Sequence, residues 1–236
     1  MTKLEICTQS LTSALAAQAG GAHRIELCSA LEVGGLTPSY ATLIETRKQL
    51  SIEICVLIRP RAGDFFYSDV EFDLMKKDIL FCKQQGAEGI VVGVLNQNRT
   101  LDLKKMDILT QLAYPMDIVC HRAFDQTPDP FEALSQLQNL GFQRILTSGQ
   151  AQNAVDGKEI LRGLVEAANG KIEIMPGAGV NPNNIQELIN YTKATTIHTS
   201  AKAKIKSSVQ DKTDGWRDND YWETDVDIVK QLVSLI

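Results

Sequence analysis

The stretches Leu4-Glu5-Ile6-Cys7, Ile25-Glu26-Leu27-Cys28 and Ile52-Glu53-Ile54-Cys55 repeat one pattern, apolar-Glu-apolar-Cys, and Ile172-Glu173-Ile174-Met175 repeats it with another sulfur residue at its end. Successive side chains of a β-strand point to opposite faces. One face of each stretch is therefore branched and apolar (Leu4 and Ile6, Ile25 and Leu27, Ile52 and Ile54, Ile172 and Ile174), as packing against helices requires. The other face carries Glu5 and Cys7, Glu26 and Cys28, Glu53 and Cys55, Glu173 and Met175. All four strands share this phase. Their carboxylates and sulfurs are expected to point into one interior, each sulfur nearer the C-terminal end of its strand.

Outward from these stretches, short apolar strands alternate with longer helical patterns along the whole chain. The strand candidates are Leu4–Thr8, Arg24–Cys28, Ile52–Ile58, Gly89–Leu95, Asp117–His121, Arg144–Ser148, Lys171–Met175 and Thr195–Ser200. The helical segments are Leu11–Ala19, Ser39–Leu50, Asp69–Gln85, Leu103–Ala113, Pro130–Leu140, Gly157–Ala168, Pro182–Tyr191 and Asp225–Ile236. Pro130 and Pro182 stand near helix starts, and Gly86, Gly141 and Gly170 stand after helix ends. Such alternation implies a parallel sheet with right-handed crossovers. The chain has 236 residues, close to the roughly 250 typical of one α/β barrel. We therefore expect an α/β fold, a single (β/α)8 TIM barrel spanning residues 1–236, over a flavodoxin-like open sheet that would leave strands unplaced. The polar segment 201–223, with Lys202, Lys204, Lys206 and Gly215, follows the eighth strand. It is expected to be a flexible loop on the C-terminal face, either a lid or a solvated excursion.

With 44% hydrophobic and 22% charged residues, the composition is that of a globular protein, and a net charge of -5 without a basic block excludes a nucleic-acid footprint. The opening Met1-Thr2-Lys3-Leu4-Glu5 runs straight into a strand pattern without the features of a secretory signal. No apolar run reaches the roughly 18 residues of a membrane span, so a cytoplasmic protein with no membrane partner is expected. Cys7, Cys28, Cys55, Cys82 and Cys120 are odd in number and show neither a CxxC pair nor zinc-finger spacing. They read as reduced thiols, and each taken singly reads as a small buried hydrophobe.

A barrel interior is normally filled by branched apolar residues. Glutamates there must be paired, protonated or metal-bound to offset desolvation. One reading is a buried ion-pair network with Arg59 and Arg61 as the neutralising groups; the other is a polar chamber for binding or reaction, with Glu26 among its acid–base groups. Cys7 and Cys28 occupy matching positions on consecutive strands, about 4.8 Å apart. Two such thiolates suit a soft cation such as Cu(I), and Cys55 on the next strand would make the set trigonal. The imidazole-rich set typical of Cu(II) or catalytic zinc is missing.

The segments after the strands are dense in polar residues and glycine. Arg59 and Arg61 in Arg59-Pro60-Arg61-Ala62-Gly63-Asp64-Phe65 suit a planar anion. His121 in Cys120-His121-Arg122-Ala123-Phe124-Asp125 makes a candidate general acid or base with Asp125 as its orienting carboxylate, or a hydrogen-bonded structural histidine. His198 is the second acid–base candidate, facing inward with Thr196 and Ser200. Ser148 in Thr147-Ser148-Gly149, with Gly177 and Gly179 after the seventh strand, marks the place where barrels build phosphate sites.

These segments together resemble the CutC family, named for a proposed role in copper homeostasis. The resemblance rests on Glu26-Leu27-Cys28, Gly34-Gly35-Leu36-Thr37-Pro38-Ser39, Ile58-Arg59-Pro60-Arg61-Ala62-Gly63-Asp64-Phe65, His121-Arg122-Ala123-Phe124-Asp125, Leu146-Thr147-Ser148-Gly149 and Ile174-Met175-Pro176-Gly177-Ala178-Gly179-Val180, and covers Leu4 to about Ser200. It implies a cytoplasmic, homo-oligomeric TIM barrel and a Cu(I) site at the cysteine pair that maps onto Cys7 and Cys28. Ala178, where a third glycine is common, and Gln150 depart from the pattern. Two functions stay open: Cu(I) binding through Cys7 and Cys28, or an enzyme acting on a small anionic or phosphorylated metabolite.

Overall fold

The structure is a computed structural model, and it describes residues 2–208 and 220–236. Eight strands form one sheet: β1 (Lys3–Thr8), β2 (Arg24–Leu27), β3 (Glu53–Leu57), β4 (Gly89–Val92), β5 (Asp117–Cys120), β6 (Arg144–Thr147), β7 (Glu173–Pro176) and β8 (Thr196–Thr199). Their order is β7-β6-β5-β4-β3-β2-β1-β8, and each of these neighbours pairs in parallel. The pairing of β8 with β1 curls the sheet into a barrel. Across the remaining seam, between β7 and β8, Thr195 Oγ1 and Thr196 Oγ1 donate to Glu173 Oε1 at 3.0 and 2.5 Å.

The helices between the strands are α1 (Leu11–Ala19), α2 (Tyr40–Gln49), α3 (Asp69–Gln84), α4 (Leu103–Ala113), α5 (Pro130–Asn139), α6 (Lys158–Ala168) and α7 (Ile185–Thr192), with α8 (Val226–Ser234) after the barrel. Side-chain caps start most of them: Ser10, Ser39, Asp102, Asp129 and Asp225 accept backbone N–H groups, and Ser68 with Glu71 forms a reciprocal capping box. Helix α7 begins later than Pro182 predicted. Asn181 and Asn184 accept backbone N–H groups from Asn183 and Asn181 and hold a turn there instead.

The alternation of faces is as the sequence predicts. Leu4, Ile6, Ile25, Leu27, Ile54 and Val56 pack in the shell shared with helix residues such as Leu43, Met75 and Ile79. Cys7, Cys28, Cys55, Leu57, Val91, Val119, Leu146 and Met175 pack together inside the barrel. Cys120 faces the outer shell.

Two expectations about the interior are corrected. First, Cys7 and Cys28 do not occupy matching positions on their strands. Glu5 pairs in register with Arg24, Cys7 with Glu26, and Glu26 with Cys55, so each of the first strands is displaced by two residues relative to the motif. The register sets Arg24 between Glu5 and Glu53; Glu53, the first residue of β3, is exposed while Glu5 and Glu26 are buried. Second, Arg59 and Arg61 do not neutralise the interior. Arg24, buried in the lumen, contacts Glu5 and also Glu53 at 3.4 Å. Arg144 donates to Asp117 at 2.7 Å and to Cys55 Sγ at 3.4 Å.

Part of the segment expected as a flexible loop is ordered: β9 (Lys202–Ile205) pairs antiparallel with β10 (Tyr221–Thr224). Gln9 Nε2 donates to Trp222 O at 2.7 Å and Ser10 Oγ to Glu223 at 2.7 Å, which ties this ribbon to the start of α1. Residues 209–219 of the segment lie outside the described residues. No helix among the described residues is long and apolar enough to cross a membrane.

Candidate functional site

A cavity of about 750 Å³ opens where the loops leave the barrel strands. Cys7, Glu26 and His198 line it from β1, β2 and β8; Arg59, Phe65, His121, Asp125 and Gly179 line it from the following loops, and Lys202 from β9.

Cys7 Sγ lies 3.6 Å from Cys28 Sγ. The stagger makes this contact diagonal, because the strand neighbour of Cys7 is Glu26. Cys28 is sealed from solvent. The chain at Gly35 folds directly over it at φ +84, where an added Cβ would stand 2.7 Å from Leu57 Cδ2 and 3.5 Å from Cys28 Cβ. Only glycine fits both this dihedral and this clearance. The contact with Cys28, with burial and the nearby Glu26 carboxyl, raises the Cys7 pKa well above that of a free thiol. Cys55 lies apart from this pair, bonded to Arg144, and burial pushes its pKa up to about 12.

A chain of charged groups runs inward from His198. Its Nδ1 lies 2.8 Å from Glu5 Oε1, and Glu5 in turn is held by Arg24 Nε. Burial alone would raise the Glu5 pKa, but the Arg24 charge and the His198 bond outweigh it and hold it at about 2. An ionised carboxylate only accepts hydrogen bonds, so Nδ1 carries the proton. Nε2 then faces Glu26 Oε2 at 3.8 Å. Burial lowers the affinity of His198 for a second proton, yet the Glu5 bond and the Glu26 charge outweigh this and its pKa is raised. Burial raises the Glu26 pKa. Cys7 Sγ, a Glu26 oxygen and a His198 nitrogen all lie within 4.8 Å of one another, and all three residues are buried.

His121 and Asp125 both line the cavity, but no bond between them is present. His121 Nδ1 accepts the Ala123 N–H at 3.1 Å, so its proton sits on Nε2, which is buried and unpartnered among the described residues. Burial lowers its pKa to about 3. The ring is neutral near pH 7 and lies against Phe65, with ring centroids 4.7 Å apart and the planes tilted by 41°. Asp125 has other work. It sits in a 3₁₀ turn at Arg122–Gln126 and accepts from Thr147 Oγ1 at 2.5 Å, Ser148 N at 3.1 Å, Gln150 N at 3.2 Å and Arg122 Nε at 2.8 Å. It therefore anchors the loop after β6 and does not orient the histidine.

The anion-binding candidates divide in the same way. Arg59 lines the cavity, yet its guanidinium donates to Val33 O, Gly35 O and Gly63 O at 2.9, 2.8 and 2.9 Å. It braces the loops around Cys28. Arg61 is absent from the cavity wall and pairs with Glu71 and Asp64 at 2.6 and 2.9 Å. Ser148 is buried behind the wall between Asp125 and Ala151 O. Gly177 is also behind it, where a Cβ would clash with Leu146 Cδ1 and merely touch His198 at 3.4 Å, so this glycine makes room for the leucine. Sequence reasoning missed Arg24, Glu5 as the partner of His198, Phe65 and Lys202. Arg24 was readable, since it shares the inward parity of Glu26.

The profile of the CutC family matches residues 2–203. A CutC family protein from Xanthomonas axonopodis pv. citri is 42% identical over 235 residues, which is 99% of this chain and 98% of the relative. The human copper homeostasis protein cutC homolog is 42% identical over 207 residues, 88% of this chain and 76% of the relative. Among solved structures, one from Streptococcus agalactiae, named as a CutC protein, superposes with a TM-score of 0.82 at 35% identity, covering 85% of this chain and 99% of its own. A barrel with this register and these loop motifs, matched over nearly its whole length, belongs to the CutC family.

Proposed function

We propose that this barrel binds copper(I) between Cys7 and Cys28, as cargo in copper homeostasis. The observation that carries the reading is the 3.6 Å separation of two buried thiols, one of them on the cavity wall. Soft sulfur ligands select Cu(I) over harder ions. With metal–sulfur bonds of about 2.3 Å, two thiolates on a linearly coordinated ion stand about 4.6 Å apart, so the pair needs to open by about 1 Å. Cys7 offers the entry side, and Cys28 is held behind Gly35 and the Arg59-braced loops. The raised Cys7 pKa means that loading must release protons and weaken as pH falls. The name of the human relative supports copper as the cargo. The test is an anaerobic titration of the reduced protein with Cu(I) against a strong competing chelator. One equivalent should bind tightly to the wild type and to Cys55→Ala. Tight binding that survives in both Cys7→Ser and Cys28→Ser refutes the proposal.

A second reading is favoured by the size of the cavity, about 750 Å³, which matches the roughly 300–1,000 Å³ of small-molecule sites. It is an enzyme acting on a small anionic metabolite, with Lys202 as the cation on the wall, the unpartnered His121 Nε2–H as a neutral donor and His198 with Glu26 as the acid–base pair. A metabolite screen by thermal shift tests it. A hit that is lost in His121→Asn supports this reading, and no hit from any anionic compound counts against it.

A further inference from the structure

Cys7 has a second set of neighbours besides Cys28, and they differ from it in chemistry. Its thiol, the Glu26 carboxylate and the His198 imidazole present one sulfur, one oxygen and one nitrogen within 4.8 Å of one another. Their residues lie on three adjacent strands, β2, β1 and β8, so the backbone holds them rigidly. His198 Nε2 and Glu26 Oε2 are 3.8 Å apart. Two ligand atoms bonded tetrahedrally at about 2.0–2.1 Å stand roughly 3.4 Å from each other, so this pair needs only a small contraction.

The surroundings of His198 point the same way. Its Nδ1–H is bonded to Glu5 at 2.8 Å, and Glu5 is bonded to Arg24. A carboxylate on the far nitrogen of a metal-bound histidine fixes its tautomer and turns the other lone pair toward the metal. The consequence here is an Nε2 lone pair opposite a carboxylate, two acceptors that need a proton or a cation between them. All three donor residues line the cavity, so a fourth coordination position would face the chamber.

We infer that Cys7, Glu26 and His198 form a three-ligand site for a borderline divalent cation of the zinc class, with an open position toward the cavity. A thiolate and a carboxylate together neutralise the two charges of such an ion. Sulfur, nitrogen and oxygen donors are those zinc takes, and three protein ligands with one open position is the pattern of catalytic zinc. A zinc-class ion held there would acidify a water in that position and so supply a nucleophile. The inference rests on the reading of Cys7 as a metal ligand but not on the role of Cys28. Because both sites use the Cys7 sulfur, Cu(I) and the divalent ion exclude each other.

The test uses the full-length, reduced, metal-free protein titrated with Zn²⁺ against a chromophoric chelator, and with Co²⁺ read by absorption. One equivalent should bind, and cobalt should give a thiolate charge-transfer band. Cys28→Ser should lose Cu(I) yet retain Zn²⁺ affinity and the cobalt band. Glu26→Gln and His198→Asn should weaken Zn²⁺ by tenfold or more while Cu(I) binding persists, and Glu5→Gln should weaken it about 10–100-fold. The inference is overturned if cobalt shows no thiolate band, if Glu26→Gln and His198→Asn leave Zn²⁺ affinity unchanged, or if Cys28→Ser abolishes both metals. If His198→Asn does not fold, as judged by circular dichroism, Glu26→Gln decides. Failure of the wild type to bind Cu(I), with Zn²⁺ binding intact, would refute the thiol pair and leave this site standing.

Discussion

Replacing Glu5 by Gln removes the carboxylate that Arg24 and His198 share inside the barrel, and the structure sets the size of the effect. The Glu5 carboxyl titrates at about 2 in the folded protein against a reference of 4.5, a difference equivalent to about 3 kcal/mol at neutral pH. Removing one partner of a buried ion pair costs about 3–5 kcal/mol by mutational precedent. The two routes agree, because the carboxylate still paired with Arg24 is Glu53 at 3.4 Å, whose side chain is half exposed. For a chain of this length the loss corresponds to a fall in Tm of roughly 6–12 °C. The folded pKa is depressed, so the contribution is complete above pH 4.5 and is lost as pH falls toward 2. Urea denaturation of both proteins across this range is the assay. Glu5→Gln should be less stable by about 3 kcal/mol at pH 7, with the gap closing below pH 4.5. A gap below about 1 kcal/mol at pH 7, or one that does not narrow in acid, refutes the reasoning.

Three further outcomes are expected. His121 titrates at about 3 folded against 6.5 in the reference state, so the unfolded chain protonates first and stability falls as pH drops from 6.5 toward 3; His121→Asn should flatten that limb in Tm measured against pH, and an unchanged slope contradicts the buried, neutral ring. Gly35→Ala places a Cβ 2.7 Å from Leu57 Cδ2 at φ +84, which should cost about 1–3 kcal/mol and expose the Cys28 thiol to a labelling reagent. Unaltered stability and labelling would show that the turn does not seal the thiol. Asp125→Asn should loosen the Thr147–Gln150 loop, seen as faster amide exchange there, while the His121 imidazole resonances stay in place. Movement of those resonances would restore the histidine–aspartate pair that the hydrogen bonds argue against.

The barrel was legible because its evidence is local. The alternation of Leu4, Ile6, Ile25 and Leu27 against Glu5, Cys7, Glu26 and Cys28 depends on a two-residue period that any short strand displays, and the helix starts carry their caps beside them. The site was legible only in its membership. Which residues point inward follows from parity, but which of them meet depends on the stagger that closes the barrel. That stagger sets Cys7 beside Glu26 and reaches Cys28 diagonally, and the pairing of β8 with β1 brings His198 to Glu5. The loop arginines were misread for a different reason. Arg59 satisfies backbone carbonyls at Val33, Gly35 and Gly63, acceptors present in every sequence and recognisable only once the loops have shape. The ribbon of β9 and β10 was hidden by its charge. Lys202-Ala203-Lys204-Ile205 reads as a solvated stretch until Tyr221-Trp222-Glu223-Thr224 is seen to pair with it.

The central claim is that the Cys7 and Cys28 sulfurs are close enough, and placed well enough, to hold copper(I) together. X-ray absorption at the copper edge of the reduced protein, loaded with one equivalent of Cu(I), tests it most directly. The account predicts a first shell with two sulfur scatterers, reduced to one in Cys28→Ser. A first shell of nitrogen and oxygen alone, or one unchanged by Cys28→Ser, would contradict it.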